Sequence, residues 1–357
     1  ELAKRTGVRL PRERLSPVEQ KMKSEAELIR KALDFALVKY REKLFSKQGA
    51  QALAYLRNRG LSRGTIDLFQ LGYAPAEWEF ITAEGKRAGF SEEYLIKAGL
   101  AIERNQGSTE QSLGRQQTGC YDRFRNRAVF PIFSSTGSIV GFAGRAVGDD
   151  MPKYLNSPDT PLFHKGKELY ALNLAKTGIR GKGTVCVMEG YMDVISMFQN
   201  GIDYAVAGMG TAFSKEQART LLLLCDNVVL SYDQDEAGRK AVRRSIDIFR
   251  EAGGKTRVVT FEGAKDPDEY VVKYGAARFV TLIDEAVSDI QFIYKEAVRS
   301  YGISTVEGKL KIKDIMVPIL AGLDSEVESS AYTSEIWRDL DVRKESLDKD
   351  VELYRVR

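Results

Sequence analysis

Six carboxylates fall in three short groups in the second half of the chain. They are Glu189 and Asp193 in Glu-Gly-Tyr-Met-Asp, Asp233 and Asp235 in Asp-Gln-Asp, and Asp266 and Asp268 in Asp-Pro-Asp. The first two groups directly follow runs with strand character, Thr184–Met188 and Asn227–Tyr232, and Thr256–Phe261 leads towards the third. In a parallel α/β sheet, ligands collect beyond the carboxyl ends of the strands, so acidic groups at successive strand ends point to a single site. Asp233 and Asp235 are two apart, and an extended backbone would project both side chains to the same side. Two ionised carboxylates that close repel each other, and one takes a proton unless a cation intervenes. Mg²⁺ suits such a set, because it prefers hard oxygen ligands completed by water and substrate phosphate. With Glu189, the set is large enough for two ions ~3.5–4 Å apart, the arrangement used for in-line displacement at phosphorus. Gly190 is expected to allow a tight turn after the acid, and Pro267 to keep Asp266 out of helical geometry. Taken singly, Asp193 also reads as an acid favoured in a helix first turn, and Asp235 as an N-cap. Together the three groups read as a metal site.

Other chemistries are largely excluded. His164 is the only histidine, which leaves no multi-histidine metal site and no serine–histidine–aspartate triad. Cys120, Cys186 and Cys225 lie far apart with no CxxC pair, so neither a disulfide framework nor a zinc site is expected, and a reducing compartment fits.

Short apolar strands alternate with helices from Gly183 onward: helices over Tyr191–Asn200, Ser214–Leu224 and Glu236–Ala252 separate strands at 184–188, 204–207, 227–232 and 256–261. That alternation implies βα units and a mostly parallel sheet. Beyond Asp268 the pattern predicts helices over 269–274, 276–301 and 306–323, with a charged tail helix from Tyr332. The first half differs. Leu28, Leu33, Leu37 and Leu44 recur at helical spacing within one long helix over 19–47. Shorter helices are expected over 50–58, 62–70, 84–89 and 91–97, with Ser62 as an N-cap. Residues 105–119 read as a mobile loop, and 128–133 and 138–143 as a hairpin turning at Ser134–Gly137. Residues 153–167 read as irregular. Phe124, Phe130, Phe133 and Phe142 are assigned to the core, His164 and Tyr191 to structural roles.

With 357 residues, 43% hydrophobic and 29% charged, the chain has material for two or three globular domains. No run approaches the ~20 apolar residues of a membrane span, and Glu1–Lys31 is charged throughout, unlike a secretory leader. A start at Glu1 is what a piece of a longer protein would show. The net charge of +4 hides an asymmetry: residues 1–180 carry 30 Lys and Arg against 20 Asp and Glu, while 181–357 carry 24 against 30. A basic half suggests a polyanion partner. Arg123, Arg125 and Arg127 alternate and would share one face of an extended segment, with guanidinium forks suited to phosphate oxygens.

The three acidic motifs resemble the signature of the Toprim fold, found in primases, topoisomerases and some nucleases. Tyr121-Asp-Arg-Phe-Arg-Asn-Arg127, Phe130-Pro-Ile132, Gly141-Phe-Ala-Gly-Arg145, Pro152-Lys-Tyr-Leu-Asn-Ser-Pro158 and Phe163-His-Lys-Gly166 narrow the match. With Arg59-Gly-Leu61 and Gly72-Tyr-Ala-Pro75 they resemble, in order, the RNA polymerase domain of bacterial DnaG-type primases. The resemblance covers roughly residues 20–300. It implies an α/β fold: a linker over 1–18, a basic mixed α/β subdomain over 19–180 for template and nucleotide, a Toprim catalytic subdomain with a mostly parallel sheet over 181–268, and a helical subdomain over 269–357. Glu189 would be the central catalytic acid and Asp233 and Asp235 the principal ligands of two or more Mg²⁺ or Mn²⁺ ions, with Asp193, Asp266 and Asp268 completing the acidic cluster. Arg145, Lys153, Asn156 and Lys165 would bind nucleotide phosphates, and Arg59, Arg123, Arg125 and Arg127 would track the template.

The implied activity is synthesis of short RNA primers on single-stranded DNA from ribonucleoside triphosphates, leaving an RNA–DNA hybrid, in the cytoplasmic replisome. A Toprim nuclease or topoisomerase-like enzyme is the alternative, and a single-strand-binding module with a vestigial metal site a third. Two family modules are expected to be missing: the zinc-binding module, hence no zinc, and the helicase-binding domain, through which alone the replicative helicase would be met. Gln234 stands where the family usually has a small residue.

Overall fold

A computed structural model describes residues 17–104, 119–210 and 213–356. The loop expected over 105–119 lies almost wholly outside the described residues. The chain divides into two compact units, Glu1–Asn173 and Leu174–Arg357.

The first unit is built on one long helix, α1 (Pro17–Leu44). Ile29, Leu33, Ala36, Leu37, Tyr40 and Leu44 recur every three or four residues and are all buried, which places one stripe of the helix in the core. Leu28 is only half-buried. Two short helices follow, α2 (Ala50–Asn58) and α3 (Arg63–Leu68), the second capped as expected by Ser62, whose Oγ accepts the Thr65 N–H at 3.1 Å. Strand β1 (Gly72–Ala74) passes so close to α1 that a Cβ on Gly72 would stand 2.7 Å from the Tyr40 Cβ. Next come α4 (Phe80–Arg87), α5 (Glu92–Lys97), and the antiparallel pair β2 (Ala101–Glu103) and β3 (Cys120–Asp122). The predicted hairpin is present as β4 (Arg127–Phe133) and β5 (Ile139–Ala146), turning with Gly137 at φ +87°. Residues 153–167 are not wholly irregular: β6 (Tyr154–Asn156) pairs with β5 and completes an antiparallel sheet in the order β1-β4-β5-β6. Phe124, Phe130 and Phe142 are fully buried and Phe133 partly so, as core residues should be.

The chain enters the second unit in α6 (Leu172–Lys182). There follow β7 (Thr184–Met188), α7 (Tyr191–Gln199), β8 (Ala205–Ala207), α8 (Lys215–Leu222), β9 (Asn227–Ser231), α9 (Glu236–Glu251) and β10 (Thr256–Val258). The order β11-β10-β9-β7-β8 is parallel except for the short edge strand β11 (Val287–Ser288). Val185, Val187, Val229 and Leu230 are buried, as strands covered on both faces require. After α10 (Pro267–Tyr274), the helix expected over 276–301 is two: α11 (Ala276–Asp284) ends, β11 pairs with β10, and Ser288 caps α12 (Asp289–Tyr301). A backbone partner on β10 and a Ser cap outweigh the continuous apolar periodicity. The tail is likewise two helices, α14 (Glu326–Leu340) and α15 (Lys344–Arg355), after α13 (Val306–Ala321), with Asp341 in the left-handed region between them.

Candidate active site

Strands β7, β9 and β10 are neighbours and run parallel, so their carboxyl ends emerge along one edge. Glu189 follows β7, Asp233 and Asp235 follow β9, and Asp266 and Asp268 follow the loop after β10. Glu189 and Asp235 are exposed, Asp233 and Asp266 half-buried, and Asp193 and Asp268 buried.

Each acid is held by local backbone. Asp193 lies in the first turn of α7, and its Oδ2 accepts the Gly190 N–H at 3.1 Å. Gly190 has φ −118°, so no special turn demands glycine there. What excludes a side chain is proximity, since a Cβ would stand 2.8 Å from Asp193 Oδ2. β9 ends at Ser231, before the aspartates, so Asp233 and Asp235 do not share a strand face. Asp235 instead caps α9, accepting the Gly238 N–H at 2.7 Å, and Asp266 caps α10, accepting the Glu269 N–H at 2.7 Å with Pro267 at the helix start. Both readings of Asp193 and Asp235 as helix-terminus acids are therefore met, and both residues also belong to the cluster.

Gln234, the residue that departs from the family's small one, braces the cluster together with two residues not singled out by sequence, Arg239 and Gly238. The Gln234 N–H donates to the Lys265 carbonyl at 2.9 Å, tying the loop after β9 to the one bearing Asp266. Arg239 donates to the Gln234 carbonyl and lies 3.4 Å from Glu296. A Cβ on Gly238 would overlap the Asp233 carbonyl oxygen. The spacing Asp-x-Asp-x-x-Gly carried the signal for Gly238; nothing local signals that Gln234 pairs across to Lys265.

The acids perturb one another. Burial pushes Asp193 up to about 8, helped by the charges of Asp233, Asp266 and Asp268 and opposed by the Gly190 N–H. Burial, then Glu189, Asp266 and Asp235, push Asp233 up to about 6, with Lys265 opposing. Partial desolvation and Asp235 raise Glu189. Mutually repelling oxygens are the donor chemistry a hard divalent cation relieves. Among the described residues no three of these side chains converge tightly enough to enclose an ion. Mg²⁺ does not require that, since water and substrate oxygens fill most of its shell.

In the first unit the basic residues divide. Arg145 on β5 lies under Tyr55 at 4.4 Å and Tyr154 at 5.6 Å. Arg145 pairs with Tyr154 across β5–β6, and the exposed Lys153 accepts the Ala146 N–H at 3.0 Å, so Arg145, Lys153 and Asn156 share that edge. Lys165 lies in the following segment, its N–H bonded to Asp159 at 3.2 Å, and His164 is exposed. Arg123, Arg125 and Arg127 do not share a face: the chain bends between β3 and β4, with Asn126 at φ +50°. Arg127 is buried and donates to the Gly144 and Pro152 carbonyls at 3.2 and 2.8 Å, and Arg123 donates twice to the Asn156 carbonyl. Arg59, half-buried, ends α2. Tyr191 is buried, its hydroxyl 3.7 Å from Met209 Sδ.

The same fold occurs in solved proteins. A DNA primase domain from Pseudomonas aeruginosa is 32% identical with a TM-score of 0.77, and the match covers 91% of this chain and 99% of that one. The DnaG primase catalytic domain bound to ssDNA gives 30% identity and a TM-score of 0.75, over 91% and 99%. The chain belongs to the DnaG-type DNA primase family. Residues 39–176 match the family described as DNA primase catalytic core, N-terminal domain, and residues 186–271 the Toprim-like family. Among curated primases, that of Clostridium acetobutylicum is 39% identical over 299 residues, 84% of this chain and 48% of its own length. The chain spans about half the length of the curated primases it matches. One expectation is corrected: residues 290–345 match the family described as the DnaB-helicase binding domain of primase, so a helicase-binding segment is not missing. The tail's charge and helical pattern gave no sign of it.

Proposed function

We propose that this chain is the catalytic core of a DNA primase, copying single-stranded DNA into short RNA primers from ribonucleoside triphosphates for replication in the cytoplasm. The observation that carries the reading is the rank of acids at the carboxyl ends of three adjacent parallel strands. Residues 19–180 serve template and nucleotide, 181–268 the chemistry, and 269–357 form a helical subdomain that meets the replicative helicase through 290–345.

Glu189, Asp233 and Asp235 would hold the divalent ions, Mg²⁺ or Mn²⁺, with Asp193, Asp266 and Asp268 completing the negative field. When bound, the ions neutralise triphosphate charge and ease ionisation of the attacking hydroxyl. Arg145, Lys153, Asn156 and Lys165 position the nucleotide's phosphates, and Arg59 and Arg125 engage the template backbone, which fixes register without reading bases. The primer 3′-hydroxyl oxygen then bonds to the α-phosphorus in line with departing pyrophosphate, leaving an RNA–DNA hybrid. Arg123 and Arg127 support this surface from within, because their guanidinium groups are spent on backbone carbonyls.

The test is Asp233→Ala, assayed on single-stranded DNA with ribonucleotides at saturating Mg²⁺. Removing a group that merely orients a metal ligand costs about 10–100-fold, so loss of a ligand itself should cost at least about 100-fold. Near-native primer synthesis overturns the assignment, and Mg²⁺-dependent shortening of the DNA favours a nuclease.

A further inference from the structure

Helix α9 carries the cations Arg239, Lys240, Arg243, Arg244 and Arg250, and all but one are engaged. Arg239 donates to the Gln234 carbonyl, Lys240 pairs with Glu236 at 2.6 Å, Arg243 reaches Asp247 at 3.4 Å, and Arg250 holds Asp289 at 2.9 Å. Arg244 is exposed and, among the described residues, makes neither an ion pair nor a hydrogen bond.

Its surroundings give that charge a use. A cavity of about 330 Å³ opens beside Glu189, within the range that admits a small ligand. Ala237, Ala241 and Arg244 are spaced four and three apart, so one face of α9 forms part of the lining. Gly208 and Gly210, beyond the carboxyl end of β8, form another part. With glycines and alanines on these walls, the space stays open. Tyr232 and Ser245 also line it, but their hydroxyls bond each other at 2.9 Å and seek no further partner. Glu189 and Arg244 are therefore the two charged groups of the lining. They do not neutralise each other: burial and Asp235 raise Glu189, and Arg244 brings it no relief.

An acid of the reaction centre and a lone guanidinium at one cavity fit a ligand with a hydroxyl for the first and a single anionic charge for the second. A triphosphate brings more charge than one guanidinium can meet. The last nucleotide of a growing RNA strand fits, because its ribose carries the 3′-hydroxyl and, on the 5′ side, one phosphodiester. We propose that this cavity holds the 3′-terminal nucleotide of the primer, its hydroxyl directed at Glu189 and its 5′-phosphodiester on the guanidinium fork of Arg244, which suits paired phosphate oxygens. The proposal rests on the reading of the chain as a primer-synthesising enzyme and assigns its product strand a binding residue.

The test uses the full chain and single-nucleotide extension of a preformed RNA primer annealed to template DNA. Two primers are compared, one natural and one with an uncharged methylphosphonate in place of the last linkage. With the parent protein the neutral linkage should raise the KM for primer roughly tenfold or more, the loss expected of a hydrogen bond to a charged group. Arg244→Gln should raise it similarly for the natural primer, respond no further to the neutral linkage, and leave the ribonucleotide KM unchanged. Arg244→Lys should recover part of the loss, since it restores the charge but not the fork. A parent protein indifferent to the linkage overturns the proposal. So does an Arg244→Gln defect that multiplies with that of the neutral linkage, or one confined to the ribonucleotide KM, which would put the triphosphate in the cavity. The linkage comparison in the parent needs no substitution, so misfolding of a variant cannot mask the result. Extension of neither primer overturns the proposed function along with this site.

Discussion

Asp122 joins three segments of the first unit through its carboxylate, N–H and carbonyl, and its environment sets a pH dependence. Burial pushes it up to about 6, against the opposing effects of the Ile81 and Thr82 N–H groups and of Arg125. An unfolded aspartate titrates near ~3.9. The folded state therefore binds the proton more tightly, so this contribution is complete below about pH 4 and is lost as pH rises through about 6. Two pKa units correspond to at most roughly 3 kcal/mol. Asp122→Asn removes the titration but leaves one of the two N–H donors without an acceptor, a cost of about 1–3 kcal/mol. Urea unfolding should show the variant less stable at pH 4, with its deficit narrowing towards pH 7. Parallel pH profiles for the two proteins would sink the assignment. At this scale sequence gives residue types but not their engagements: Arg123, Arg125 and Arg127 look alike in an alternating run, because spacing does not record a carbonyl supplied from Pro152 or Asn156, some 25 or more positions away.

At the scale of elements, helix α9 is the lever of the acidic site. It is capped by Asp235, and its third residue, Gly238, admits the Asp233 carbonyl oxygen where a side chain would collide. Two effects of Gly238→Ala oppose each other. Helix propensity favours Ala by about 1 kcal/mol, while overpacking against fixed backbone costs about 1–3 kcal/mol. The contact is with main chain rather than a yielding side-chain tip, so the second effect should win. The variant should unfold at lower urea concentration and lose Mg²⁺-dependent synthesis by about 10-fold or more, since loop displacement disturbs Asp233 directly. A stabilised, fully active variant would show that the loop yields freely. The strands and helices around this lever were readable because βα alternation is written in apolar runs and caps. The breaks were not: β11 exists only because β10 offers its edge, and no periodicity over 276–301 announces a partner strand.

Across the whole chain, charge counts overstate the surface that can hold nucleic acid. The excess of Lys and Arg in residues 1–180 includes Arg127, which is buried, and Arg123, which burial also disfavours as a charge. Only cations that displace counterions from phosphate contribute to salt dependence, by about 0.7 in the log–log slope per contact on a single strand. Arg125 and Arg127 are two residues apart yet should behave differently. Arg125→Gln should reduce the salt slope of oligonucleotide binding by about 0.7 and lower stability by about 1 kcal/mol, because it also gives up its bond to the Asp122 carbonyl and its packing on Trp78 and Tyr121. Arg127→Gln should leave the slope unchanged and instead lower stability by about 1–3 kcal/mol, because the Gly144 and Pro152 carbonyls lose their donor. Affinity measured from about 50 to 200 mM salt, beside urea unfolding of the same proteins, separates the two. Equal slope changes would mean that Arg127 reaches phosphate, and that the internal bonds it makes are released when DNA binds.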